Sequence, residues 1–126
     1  MNIGDRAALY DELGRVLRPG GILVTHDVVR LRGAPDFPVP WAGEAGQSCL
    51  LDPDATRDAL ERSGFRVDAW RVDGAEAARA FGNTAAAEPP PFAVMLGVPD
   101  MRLRIAHLRD ALLDGRVGIL TAKLVR

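Results

Sequence analysis

The possible folds of this chain are limited most by one short stretch near its start, "RVLRPGGILVTHDVV" at residues 15–29. Apolar residues recur at helical spacing at Leu9, Leu13, Val16 and Leu17, which predicts a helix from Asp5 to Leu17 with Asp5 as its N-cap. Pro19 and the two following glycines end this helix. Ile22 to Val29 is then almost continuously apolar or β-branched, which is typical of a strand buried on both faces under helices. The stretch therefore favours an α/β fold.

The rest of the sequence also predicts helices and strands separated by loops. Residues 30–48 contain three prolines and three glycines, which predicts a long loop. Asp52 and Pro53 open a second helix that ends near Ser63, and Phe65 to Val72 alternates like a strand. Two strands on either side of a helix predict a right-handed crossover and parallel pairing in one sheet. The later predicted elements are a short helix at 75–82, a break at Glu88–Pro91, a helix at Asp100–Leu113 and a strand at Arg116–Val125.

Length and composition set broad limits. The 126 residues suit a single domain, and the net charge of -1 gives no general reason to expect nucleic acid or a membrane surface as partner. No apolar run is long enough to span a membrane, and the first ten residues do not form a signal peptide, so we expect a cytoplasmic protein. A single cysteine and two distant histidines predict neither a disulfide framework nor a metal site.

Three stretches carry a resemblance to a known family. They are "LYDELGRVLRPGGILVTHDVV", "FPVPWA" with "SCLLDPDATRDALERSGFRVDAW", and "LRDALLDGRVGILTAKLVR". Together they resemble the C-terminal half of a class I S-adenosylmethionine-dependent methyltransferase. "FPVPWA" is similar to the small-molecule branch that includes glycine, sarcosine and related amine methyltransferases. The resemblance implies a partial Rossmann-type sheet holding the equivalents of strands five, six and seven with flanking helices. The terminal strand would be antiparallel and inserted between the other two.

The same family binds its cofactor on the other half of the fold. A glycine-rich turn after the first strand and an acidic residue at the end of the second hold S-adenosylmethionine. The only Gly-Gly pair here, Gly20 and Gly21, precedes a strand and so does not match that turn. We therefore assign no cofactor-binding residue, and we expect S-adenosylmethionine only if a partner supplies the N-terminal half.

A strand that lies inside the sheet of its relatives would here have one unpaired side. Unpaired backbone donors and acceptors along Ile22 to Val29 would favour pairing with a strand of another chain. We expect a homodimer that pairs through this edge, or a partner chain that supplies the missing half. A monomer with a rearranged cover is the remaining alternative.

His26 and Asp27 are the first candidates for contact with a small molecule, because ligands of open α/β sheets bind beyond the carboxyl ends of strands. His26 could take a proton from an amine or hydroxyl nucleophile, and Asp27 could attract a cationic amine. The alternative is structural: Asp27 caps the next turn and His26 is a satisfied interior residue.

Aromatic residues of the long loop are the second pair of candidates. Phe37 and Trp41 could form the walls of a substrate pocket, and a tryptophan face attracts ammonium groups. The alternative is that both rings attach the loop to the core. Cys49 could act as a nucleophile but is better explained as a buried structural cysteine. His107 and the arginines of the last helix are expected to lie on a solvated face.

Two classes of function follow. The first is a methyltransferase subunit or fragment that contributes the substrate side of a site, with the cofactor held by another chain. The second is a repurposed small-molecule-binding protein, or a non-methylating enzyme such as a cyclase, that has lost the cofactor. A truncated product without activity is a third possibility. The sequence does not identify the substrate.

Overall fold

The computed structural model describes residues 1–84 and 97–126, and its helices and strands match the predicted ones to within about two residues at each end. The predicted break at Glu88–Pro91 lies outside the described residues. The order along the chain is α1 (Arg6–Val16), β1 (Ile22–Arg30), a short 3-10 helix (Ala45–Gln47), α2 (Pro53–Arg62), β2 (Arg66–Asp73), α3 (Ala75–Thr84), α4 (Met101–Leu113) and β3 (Val117–Val125).

Side-chain caps fix the starts of the first two helices as the sequence predicts. The Asp5 carboxylate accepts a hydrogen bond from the Ala8 N–H at 2.9 Å, and the Asp52 carboxylate accepts one from the Ala55 N–H at 2.8 Å. Each bond satisfies an amide that has no partner inside its helix. Gly64, with a φ of +85°, then turns the chain from α2 into β2.

The sheet has three strands in the order β1-β3-β2, and β3 is antiparallel to both neighbours. The terminal antiparallel strand implied by the family resemblance is therefore confirmed. The prediction of direct parallel pairing between the first two strands is wrong, because β3 lies between them. β3 suits this central position, since Val117, Leu120 and Leu124 are completely buried.

Helices cover both faces of the sheet. We call the side under α1 and α2 the first face and the side under α3 and α4 the second face. Side chains alternate along β1, so Val29 joins the first-face core and Val28 joins the second-face core. The buried first-face residues are Tyr10, Val29, Ala59, Leu60, Phe65, Leu120, Ala122 and Leu124. The buried second-face residues are Val28, Ala78, Leu108, Ala111, Leu112, Val117 and Ile119.

β1 differs from the expectation of a strand buried on both faces. Ile22 and Val24 are 56% and 65% exposed, because β1 is at the edge of the sheet and their side chains project from the uncovered part of the second face. Only the end of β1 near Val28 is covered on this face. The strand thus has the composition of an inner strand in the position of an edge strand.

The hydrogen bonds at both ends of β1 show which backbone groups face β3. The Leu31 N–H donates to the Arg116 carbonyl at 2.9 Å, and the Arg126 N–H donates to the Gly21 carbonyl at 2.9 Å. Bonded and non-bonded pairs alternate in an antiparallel ladder. Odd-numbered residues of β1 therefore bond β3, and even-numbered residues direct their N–H and C=O groups to the open side.

Two of those outward amides already have partners. The Val28 N–H donates to the Asp27 carboxylate at 2.9 Å, and the Arg30 N–H donates to the Leu51 carbonyl at 2.9 Å. Within residues 1–84 and 97–126, the outward amides of Ile22, Val24 and His26 have no such partner. The open edge is the run from Ile22 to His26.

Proline substitution at adjacent positions tests this alternation. We expect Thr25→Pro to lower the free energy of unfolding by at least about 2 kcal/mol, because it removes an amide that bonds β3. Val24→Pro should cost less than about 1 kcal/mol, because proline is tolerated on an edge strand where the N–H faces solvent. Urea denaturation followed by circular dichroism measures both. Equal losses from the two variants would contradict the assigned alternation.

Candidate functional site

A cavity of about 350 Å³ opens on the second face, where all three strands pass the start of α3. It lies beside the uncovered part of that face, next to the open edge of β1. Its floor is apolar and its rim carries ionisable groups, a combination typical of small-molecule sites. The lining residues are His26, Arg71, Asp73, Glu76, Ala77, Ile119 and Thr121.

His26 is positioned by its cross-strand neighbour. His26, Thr121 and Arg71 are register partners on the three strands, so their side chains lie in one row on the second face. The His26 Nδ1 atom is 2.9 Å from the Thr121 hydroxyl oxygen. This bond fixes the ring by one nitrogen and leaves Nε2 available to exchange a proton with a ligand in the cavity.

Arg71 is held by two carboxylates at the rim of the cavity. Its guanidinium donates to Asp73 at 2.7 Å and also to Glu76. The hydrogen bonds to Asp73 and Glu76 raise the pKa of Arg71, and the hydrogen bond from Arg71 lowers the pKa of Asp73. These groups are exposed, so the pairs add little stability. Their effect is to present one fixed cation between two anions at the cavity mouth.

Asp27 lies on the opposite face of the sheet from His26, because neighbouring residues of a strand project to opposite sides. Its carboxylate accepts a hydrogen bond from Arg6 at 2.7 Å and contacts the Met1 ammonium at 3.1 Å. The Asp27 carboxylate also accepts the hydrogen bond from the Val28 N–H that was described above. The structure therefore does not bring the two predicted residues into one site, and the contacts of Asp27 are those of an internal ion pair.

The predicted aromatic pair lies in the loop after β1 and does not line the cavity. Trp41 packs against the second-face core, and its indole N–H donates to the Ser48 hydroxyl at 3.0 Å. Phe37 is half-buried and precedes a cis bond to Pro38. Trp41 thus attaches the loop to the core. Cys49, also half-buried, bonds the Met1 carbonyl through its amide and is not a cavity residue.

Two residues of α4 that were expected to be solvated hold this loop instead. The Arg104 guanidinium donates to the Val39 carbonyl at 2.7 Å and the Ala42 carbonyl at 3.2 Å, and His107 Nδ1 is 3.0 Å from the Pro38 carbonyl. The expectation of a solvated face is wrong for both. A signal was present in the sequence: prolines supply no N–H, so the carbonyls of a proline-rich loop need donors from elsewhere.

Neither a metal site nor a membrane span appears in the part of the chain that the structure describes. No three histidine, cysteine, aspartate or glutamate side chains gather there as ligands, and no helix there has the length and apolar character to cross a bilayer. The cytoplasmic location stays a prediction.

The order helix, strand, helix, strand, helical insert and central antiparallel strand defines a fold class: it is similar to the C-terminal half of the methyltransferase fold. Similar solved structures bear this out. The geranyl diphosphate C-methyltransferase from Streptomyces coelicolor A3(2), solved with S-adenosyl-L-homocysteine, matches with a TM-score of 0.72 at 15% identity. The match covers 100% of this chain and 44% of that one.

Two further structures have the same relation to the chain. A putative sarcosine dimethylglycine methyltransferase from Galdieria sulphuraria matches with a TM-score of 0.65 at 12% identity, over 99% of this chain and 49% of that one. The [4+2]-cyclase SpnF matches with a TM-score of 0.58 at 20% identity, over 95% and 43%. The chain thus spans about half the length of the structures it matches. No protein-family model and no curated protein matches the sequence.

The fold class raises the question of whether the described residues fit S-adenosylmethionine. The turn that holds such a cofactor is rich in glycine, follows a strand and opens a helix. Gly20 and Gly21 instead follow α1 and open β1. Gly74 does connect a strand to a helix, but a Cβ there would lie 3.1 Å from the Leu112 carbonyl oxygen, so protein backbone occupies that space. Neither of these two turns has the open, glycine-rich, strand-to-helix form that holds such a cofactor.

Substitution of Arg104 tests the loop attachment. We expect Arg104→Ala to lower the free energy of unfolding by about 1–3 kcal/mol, because two loop carbonyls lose their donor. Amide exchange at Val39 and Ala42, which bond each other, should accelerate. Arg102→Ala on the same helix is the matched control, since this side chain is exposed and its loss should stay within about 0.5 kcal/mol. Unchanged exchange in Arg104→Ala would exclude the attachment.

The burial of Tyr10 predicts that the folded protein loses stability at alkaline pH. Tyr10 is 4% exposed, and burial raises the pKa of its phenol above the ordinary value of 10.0. The neutral phenol therefore stabilises the folded protein fully below pH 10, and this contribution disappears as the pH rises through the higher pKa of the folded state. The midpoint of thermal unfolding should fall over that range and fall less in Tyr10→Phe. Tyr10 is the chain's only tyrosine, so tyrosinate absorbance reports its ionisation directly.

Proposed function

We propose that this chain contributes the substrate-side half of a small-molecule methyltransferase fold. In this proposal the chain does not bind S-adenosylmethionine alone, and a second unit completes the sheet at β1 and holds the cofactor. The proposal is supported by similarity to about half of several methyltransferase structures. It is supported further by the lack of a suitable glycine turn among the described residues.

The observation that carries the proposal is the open side of β1. This strand has the apolar composition of an inner strand, yet its outward amides at Ile22, Val24 and His26 are unpaired within the described residues. Ile22 and Val24 also project from an uncovered face. A unit that supplies a strand to the edge and a helical layer to the face would satisfy both the amides and the apolar side chains.

The cavity at His26 lies beside this junction, which gives it a role in the proposal. A second unit docked on β1 would close the cavity on its open side and exclude water from it. His26 would then accept a proton from the nucleophile of a small substrate, and Arg71, Asp73 and Glu76 would orient that substrate. Phe37 and Trp41 do not line the cavity and have no substrate contact in this proposal.

A second candidate is a small-molecule binder or a non-methylating enzyme that works without the cofactor. The similarity to the [4+2]-cyclase SpnF supports it, as does the presence of a cavity with an apolar floor and an ionisable rim beside His26. This candidate requires no second unit at the β1 edge. Ligand binding at the cavity by the isolated chain, without any cofactor-binding partner, would favour it over the methyltransferase half.

Calorimetric titration with S-adenosylmethionine tests the main proposal. We expect the purified, folded chain to release no heat of binding, because the turn that would hold the cofactor is missing from the described residues. The geranyl diphosphate C-methyltransferase from Streptomyces coelicolor, titrated in the same buffer, is the positive control. Micromolar binding by this chain alone would show that the cofactor claim is wrong.

A further inference from the structure

The open edge of β1 is complementary to the same edge of a second copy of the chain. We propose that two copies of the isolated chain pair through β1 in an antiparallel, two-fold contact centred on Val24, and that this contact occupies the edge until a second unit displaces it. The inference rests on the proposed function only for that displacement. The pairing itself follows from backbone geometry, side-chain exposure and charge around the open run from Ile22 to His26.

The backbone supplies the first argument. The outward residues Ile22, Val24 and His26 are evenly spaced, and the open run ends at Val28, whose amide the Asp27 carboxylate already occupies. In a second copy running the opposite way, Val24 faces Val24, and Ile22 faces His26 in both directions. Each facing pair exchanges two hydrogen bonds, so every open donor and acceptor of the run finds a partner. A copy of the chain therefore fits this run along its whole length.

Side chains on the second face supply the second argument. Ile22 and Val24 are both more than half exposed, and pairing places Val24 directly opposite Val24 of the second copy and Ile22 opposite its His26. β-branched side chains in directly opposed positions pack against each other across a strand pair. The contact therefore removes from water part of the apolar surface that the isolated edge exposes.

The flank of α1 supplies the third argument. The Ser63 hydroxyl, just after α2, donates to Asp11, so that side of α1 faces α2. Val16 follows five residues later, about 140° further round the helix, and lies on the opposite flank. It is 59% exposed. Because Arg6 joins α1 to Asp27 on β1, this flank, where Val16 lies beside the Glu12–Arg15 ion pair, borders the same edge, where the α1 helix of a second copy would lie.

Charge does not oppose the pairing. Edge strands usually carry proline, lysine or another charged residue, and these residues prevent association. The run "ILVTH" contains no proline, lysine or other fully charged residue. Asp27, the next residue, projects to the first face and is neutralised there by Arg6. With a net charge of -1 per chain, repulsion between two copies is small. The run from Ile22 to His26 therefore lacks the edge-strand features that prevent pairing with a second copy.

Sedimentation equilibrium tests the contact. We expect a reversible monomer–dimer equilibrium, weak because one strand pair and one helix flank bury less area than a stable interface needs. Val24→Lys and Val24→Glu should each weaken dimerisation at least about 10-fold, because they place like charges directly opposite each other across the two-fold axis. Both side chains point to solvent in the monomer, so the fold should persist by circular dichroism.

An equimolar mixture of the two variants is the decisive sample. Lysine then faces glutamate at the axis, and the mixture should recover dimer that neither variant forms alone. Leu103→Ser, which removes an exposed apolar residue of α4, is the control and should leave the equilibrium unchanged. A monomer at every concentration, or a dimer that Val24→Lys does not weaken, would overturn the proposal. A mixture that stays monomeric would overturn the two-fold centre at Val24.

The calorimetric experiment keeps this inference separate from the proposed function. Binding of S-adenosylmethionine by the isolated chain would refute the cofactor claim and leave the dimer measurement intact. Failure to dimerise would refute the β1 pairing and leave the cofactor result intact.

Discussion

The antiparallel ladder of β3 is the interaction on which the rest of the structure depends. β3 bonds both other strands along nearly their whole length, and it contributes Leu120 and Leu124 to one core and Val117 to the other. β1 and β2 share no hydrogen bonds with each other, so without β3 they would not belong to one sheet, and the two helical layers would not pack on a common sheet. The three-stranded sheet therefore requires β3, Val117–Val125, as its central strand.

The sequence allowed most of the helices and strands to be predicted because their signals are local. Asp5 and Asp52 are caps that act within three residues, and Gly64 ends α2 by its backbone conformation. Strand order is not a local property, and the pattern of alternating helices and strands favoured a direct parallel pair. Only the family resemblance placed the terminal strand between the other two.

Site residues were harder to predict because their partners are distant in sequence. His26 was named as a candidate, but Thr121, which fixes its ring, lies at the far end of the chain, and Arg71, Asp73 and Glu76 carried no pattern of their own. Asp27 was grouped with His26 because they are adjacent, although adjacency in a strand separates two side chains. Arg104 and His107 have the spacing of any helix surface, and only the loop carbonyls opposite them reveal their role.

The position of the cavity would couple ligand binding to the proposed assembly. His26 contributes its imidazole to the cavity and its outward backbone amide to the open edge, so one residue belongs to both surfaces. Any strand that pairs with the edge fixes the backbone of His26, and with it the orientation of the ring against Thr121. In both the proposed function and the proposed dimer, the strand that pairs with this edge would therefore lie directly beside the cavity, and it would act on a bound ligand through His26.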